Sequence, residues 1–118
     1  MSLDIRVSVR NENGELTTLR ATDSEKRLGP ESCRENLWGS KTAISLGLTL
    51  LPSLAHNDIW VEGDALRELE NEAKTIVSKL DFFAQQTGYP PDFVMPLLQN
   101  ILTAISRARQ VQGIVQIT

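Results

Sequence analysis

Residues 64–86, DALRELENEAKTIVSKLDFFAQQ, constrain the fold of this chain more than any other stretch. Leu66, Leu69, Ala73, Ile76, Val77, Leu80, Phe83 and Ala84 recur at steps of three and four. At about 3.6 residues per turn, that spacing lays them along one face of an α-helix. Asp64 is placed to cap the first free N–H groups, and Glu68, Glu70 and Glu72 stand toward the positive end of the helix dipole. Gly88 supplies the left-handed residue on which such helices commonly end. The pattern predicts one helix of about six turns with an apolar face that needs cover.

Both chain ends offer that cover. Leu3, Ile5, Val7 and Val9 alternate with Asp4, Arg6 and Ser8, the period of a strand with one face on a core and one in water. Asn13-Gly14, two residues that take positive φ readily, predicts a tight hairpin returning through residues 16–21. Beyond the central helix, Thr87-Gly88-Tyr89-Pro90-Pro91-Asp92 forces a break. A second long helix is predicted to start between Phe93 and Leu97, with Pro96 in its first turn, where no N–H partner is lost. Leu97, Leu98, Ile101, Leu102, Ile105 and Ala108 give it an apolar face, and Arg107 and Arg109 sit at its negative end. Ile114-Val115-Gln116-Ile117 reads as a closing strand, which must be paired to be ordered, with the N-terminal hairpin as its simplest partner. Ile59-Trp60-Val61 is a short strand or extended connector. The fold class is therefore α+β: one domain over residues 1–118, with two long antiparallel helices packed on a small, mainly antiparallel sheet made of the N-terminal hairpin plus the C-terminal strand.

Two stretches are less regular. Residues 22–36 are polar, contain Gly29-Pro30 and show no sustained period, which predicts a mobile surface loop held only by Leu28 and Cys33. Residues 41–51 fit either a helix or an extended run; the reading adopted is a short helix or turn over 40–46, capped by Ser40, leading into an extended segment that stops at Pro52.

Charge and composition narrow the function classes. Lys and Arg number 12 against 15 Asp and Glu, a net charge of −3, and the basic residues are scattered. That argues against a nucleic-acid partner, which needs several cations brought to the phosphates. The apolar region 43–55 is too short and too interrupted to cross a bilayer, so no membrane association is expected. One cysteine, Cys33, points to a reducing cytoplasm.

No constellation spells out a reaction. Cys33, His56 and Asp58 assemble on paper into a nucleophile, base and orienter, but no glycine elbow or helix start holds the sulfur. Asp58, Glu62, Asp64, Glu68 and Glu72 cluster in sequence, yet their order fits a solvated helix face better than a cation loop. One Cys and one His fall short of a zinc site. Gly39-Ser40-Lys41-Thr42 holds the letters of a phosphate loop in the wrong order, and Arg34, Arg107 and Arg109 would clamp an anion only if the 22–36 loop folded over. No metal or cofactor is expected. The aromatics Trp38, Trp60, Phe82 and Tyr89 lie off the obvious core stripes; they either close the ends of the core or form an interaction surface. The expectation is a small, non-catalytic cytoplasmic interaction protein, such as an accessory subunit, a homodimer or an immunity-type inhibitor, whose partner is another protein or a second copy of itself. The alternative is a small-molecule-binding protein or weak enzyme with a pocket under the 22–36 loop, near Cys33, His56 and Trp60.

Overall fold

The computed structural model describes residues 2–118. These form five strands, β1 (Ser2–Arg10), β2 (Leu16–Thr18), β3 (Arg27–Pro30), β4 (Ile59–Glu62) and β5 (Ile114–Ile117). Four α-helices accompany them: α1 (Lys41–Ser45), α2 (Ala65–Ser78), α3 (Leu80–Thr87) and α4 (Pro91–Val111). The fold is α+β, an open antiparallel sheet in the order β2-β1-β5-β4 with β3 also on β1. Asp4 exchanges N–H and C=O bonds with Thr118 at 2.9 and 3.0 Å, while the Ile5 N–H turns the other way to the Lys26 carbonyl at 2.7 Å. Thus β5 takes one edge of β1, and β3 and β2 divide the other. The closing strand pairs with the N-terminal strand as the sequence predicts, and it also pairs with β4, so the chain's last residues lie inside the sheet.

Register then sets the core. Ile5, Ile117 and Ile59 stand in one cross-strand row and Val7, Val115 and Val61 in the next. All six are buried in one cluster with Leu69, Ile76, Phe83, Leu98, Ile101 and Ile105 from the helices. Burying each such side chain contributes about 1.5–3 kcal/mol before entropy is subtracted. The pleat sends Arg6, Gln116 and Trp60 to the opposite face.

The hairpin turn is longer than the predicted Asn13-Gly14 corner. Asn11 N–H reaches the Glu15 carbonyl at 2.8 Å, Gly14 N–H reaches the Asn11 carbonyl at 2.9 Å, and only Gly14 takes a positive φ, +81°. The Asn11 side chain accepts from the Asn13 and Glu15 N–H groups, stabilising a turn that ends on a left-handed glycine.

The predicted 64–86 helix is two helices. Lys79, at φ −124° and ψ 31°, separates α2 from α3. The preceding Thr75-Ile76-Val77-Ser78 has three β-branched residues, and the Thr75 and Ser78 hydroxyls donate to the carbonyls of Asn71 and Thr75. Weak helix formers with hydroxyls bonded back onto the ladder favour a bend here. Asp64 makes no side-chain cap bond, but Gly88 ends α3 with φ +84°, as read from sequence. Of the two long helices expected, only α4 is long, at 21 residues. It starts at Pro91, earlier than predicted, which leaves Pro96 inside it. Pro96 and Asp92 are both exposed, so water can reach the Asp92 carbonyl that lacks its N–H partner.

Residues 22–36 are more structured than a surface loop. β3 pairs with β1, Leu28 and Cys33 are wholly buried, and Arg34–Trp38 forms a π-helical turn. Gly39 lets that turn close against residues 52–55, since a Cβ there would clash with the Arg34 carbonyl oxygen and stand 2.7 Å from the Ala55 Cβ. Ser40 caps α1 as predicted, accepting from Ala43 N–H at 3.1 Å. The following segment does not stop at Pro52. Leu51 is helical, at φ −61° and ψ −45°, and Pro52 opens the 3-10 turn Pro52–Ala55.

Candidate functional site

β4 is an edge strand whose pleat buries Ile59 and Val61 and turns Trp60 and Glu62 outward. Trp60 is 49% exposed. Its indole N–H donates to Glu62 Oε2 at 2.9 Å, and Arg10 Nη1 donates to the same oxygen at 3.2 Å. The Arg10 guanidinium carbon lies 5.8 Å from the indole centroid, within cation–π range. A carboxylate from the same strand and a cation from β1, on the far side of β5, therefore hold one indole in a fixed orientation on the face turned away from the helices. β4 also has a free edge. Because Thr118, Gln116 and Ile114 turn their backbone groups toward β1, Ile117 and Val115 face β4 and bond Ile59 and Val61. The N–H and C=O of Trp60 and Glu62 then point away from the sheet, and none has a backbone partner among the described residues.

The other predicted aromatics go elsewhere. Trp38 is wholly buried, its indole N–H donating to the Leu28 carbonyl at 3.0 Å, so it belongs to the core and not to a surface. Tyr89 is partly buried and stacks on Phe93 with ring centroids 5.3 Å apart and planes 17° apart. Phe82 is 49% exposed on α3. The structure therefore leaves Trp60 and Phe82 as the exposed members of the set.

The catalytic constellation is not assembled. Cys33 is in the core, His56 is exposed, and Asp58 Oδ1 accepts from Arg34 Nη2 at 2.6 Å. Arg34 also bonds Glu31 and the Leu54 and Asn57 carbonyls, tying the π-helical turn to the 3-10 turn. The three arginines do not converge on an anion: Arg107 bonds the Arg20 carbonyl, and Arg109 makes a bidentate pair with Glu70 at 2.8 and 3.1 Å. The Arg109 guanidinium holds the Glu70 carboxyl below its usual range. Glu72 is the largest departure. Expected on a solvated face, it is 8% exposed, and its carboxylate accepts from the Thr49, Leu50 and Leu51 N–H groups and the Thr49 hydroxyl. Its place three residues after Leu69 and four before Ile76, on the apolar stripe, was the available signal.

Nor do Cys33, His56 and Trp60 share a pocket wall, because Cys33 lies among the core side chains and Trp60 on the opposite face of the sheet. An apolar recess of about 550 Å³ lies between β3 and the start of α4 and is lined by Gly29, Pro30, Phe93, Pro96 and Leu97 among others. Burial pushes the Cys33 thiol above its usual 9.0, against a smaller opposing effect of the Tyr89 hydroxyl. Burial raises Tyr89 as well. Alkylation of Cys33 by iodoacetamide at pH 8 is expected to run at least about tenfold slower than that of a free thiol. An unfolded chain ionises both groups more easily than the folded one, so their contribution is intact below pH 9.0 and is lost as pH rises through the folded values. A Cys33 that labels faster than a free thiol would overturn this assignment.

Among the described residues no group of three or more His, Cys, Asp or Glu is placed to hold a metal ion, and no helix is long and apolar enough to cross a membrane. Comparison with protein-family models, with curated proteins and with solved structures returns no match.

Proposed function

We propose that this chain is a small cytoplasmic protein-binding protein without chemistry of its own, and that it docks through the outer sheet face around Trp60. The observation that carries this reading is the half-exposed indole clamped by Glu62 and Arg10 on an edge strand. Tryptophan buries a large area with few torsions to freeze, and an indole already held in place loses little entropy on binding. Such residues dominate the energetics of interfaces. The exposed carboxylates Glu62, Asp64 and Glu68 follow it in sequence and favour a partner with basic groups at the rim. An accessory subunit or an inhibitor that covers another protein's surface fits this arrangement.

The test is capture of partners from the native host by the tagged chain. Trp60→Ala is expected to weaken the captured complex at least about 30-fold, the size of a hot-spot loss. Its melting temperature should change little, since the indole is half in water. Phe82→Asp, on α3, serves as the control and should retain the partner. Equal capture by the native chain and by Trp60→Ala would remove the basis of the reading.

A further inference from the structure

We infer that Asn13 is a site of self-modification, where the Gly14 nitrogen cyclises onto the Asn13 carboxamide and leaves an aspartyl or isoaspartyl residue in the β1–β2 turn. Residues 11–18 are all exposed, and the Asn13 carboxamide makes no hydrogen bond among the described residues. A Cβ built on Gly14 would meet nothing within 4 Å, so no other part of the fold crowds a ring closing at this point. Glycine also reaches backbone angles closed to other residues, which lets its nitrogen swing onto the Asn13 Cγ. The step needs only water. The Gly14 N–Cγ bond forms as the Cγ–Nδ2 bond breaks, and the Gly14 proton leaves with the departing ammonia. Water then opens the five-membered imide at either carbonyl, giving aspartate by attack at Cγ and isoaspartate by attack at the main-chain carbon.

The other five asparagines lack these conditions. Each precedes a residue with a side chain, namely Glu12, Leu37, Asp58, Glu72 or Ile101, which shields the nitrogen and narrows its torsions. Asn36 and Asn71 are moreover fixed in helical turns, and the Asn100 amide is tied to the Ser24 and Arg27 carbonyls. At Asn13 the turn itself sets the pace. The Gly14 N–H donates to the Asn11 carbonyl at 2.9 Å, while Asn11 Oδ1 accepts from the Asn13 and Glu15 amides, so the nitrogen is released only when this knot opens. An isoaspartyl link carries the chain through Cγ, one atom longer than the native path. The Asn11–Glu15 bond that closes the turn, and the Arg10–Leu16 pair behind it, then no longer match. Because β2 is exposed along its whole length, its release from β1 leaves the core in place.

Peptide mapping of the whole chain incubated at pH 8, with enzymatic methylation to mark isoaspartate, tests this. Asn13 is expected to convert at least about tenfold faster than each of the other asparagines, the advantage of an unhindered glycine nitrogen. Both products should appear, each adding one negative charge to a chain of net charge −3 and so separating on ion exchange. Asn13→Gln, which has to close a six-membered ring, should stay unmodified over the same period. In the purified isoaspartyl form the Asn11 and β2 amides should exchange faster than in the native chain, with β5 unchanged. Asn13 lasting as long as the other asparagines overturns the inference. So does conversion to aspartate without isoaspartate, the mark of direct hydrolysis, or equal charge gain by the Asn13→Gln chain.

Discussion

Replacing Glu72 with alanine is expected to lower the unfolding free energy by about 3 kcal/mol, and replacing it with glutamine by about 2 kcal/mol. The carboxylate serves three consecutive amides. Oε2 accepts from Thr49 N at 3.0 Å, Thr49 Oγ1 at 3.2 Å and Leu50 N at 2.8 Å, and Oε1 accepts from Leu51 N at 2.9 Å. These amides open the 3-10 turn Pro52–Ala55, where no earlier turn supplies carbonyl partners. Alanine leaves them without an acceptor, beside a wholly buried Leu51. Each unsatisfied buried group costs roughly 1–3 kcal/mol, and the exposed Thr49 recovers part of that from water. Glutamine keeps the shape but turns an NH2 donor on amides that also donate, so it restores only part of the loss. On a chain whose total stability is roughly 6–18 kcal/mol by size, the alanine effect is large. It is read from the urea midpoint at unchanged slope; a change under about 0.5 kcal/mol for alanine would show that Glu72 does not pin this segment.

Glu72 also marks where sequence reasoning runs out. The period of α2 placed Leu69, Ala73 and Ile76 on the core correctly, because one face of a helix is set by spacing alone. Glu72 shares that spacing yet reads as a solvated residue, because a carboxylate in a stripe is interpretable only when the donors that reach it are known, and those come from residues 49–51, on another segment. The alternation in β1 was legible for the same reason that α2 was. What alternation lacks is register, so the position of β5 between β1 and β4 followed only in part from the closing-strand reading. The bend at Lys79 and the early start of α4 at Pro91 are local contests between weak helix formers, prolines and tertiary packing, which no periodicity resolves.

The two tryptophans show the same limit at the candidate site. Trp60 lies between Ile59 and Val61, so its outward direction was implicit in a two-residue period. Its clamp was not, since Arg10 is 50 positions away and reaches Glu62 only because β1 and β4 flank β5. Trp38 lay in a stretch with no period. Its burial depends on an acceptor, the Leu28 carbonyl, in a strand that the polar composition of residues 22–36 concealed.

That difference makes the two residues respond oppositely to the same substitution. Trp38→Ala is expected to cost about 3–5 kcal/mol, against little change for Trp60→Ala. Trp38 is among the largest wholly buried side chains, and truncation opens a cavity between the π-helical turn and the strand β3. Trp38→Phe refills most of that volume yet leaves the Leu28 carbonyl without its donor, for a loss of about 1–3 kcal/mol. Because Leu28 is wholly buried beside Trp38, weakening this bond should speed hydrogen exchange in β3 before it does so in β5, which is paired on both edges. Urea unfolding of Trp60→Phe, which leaves Trp38 as the only indole, should show a blue-shifted emission that moves to the red in one cooperative step. If Trp38→Ala unfolds at the native midpoint while partner capture is lost, Trp38 faces solvent after all, and the packing of β3 onto the π-helical turn is wrong.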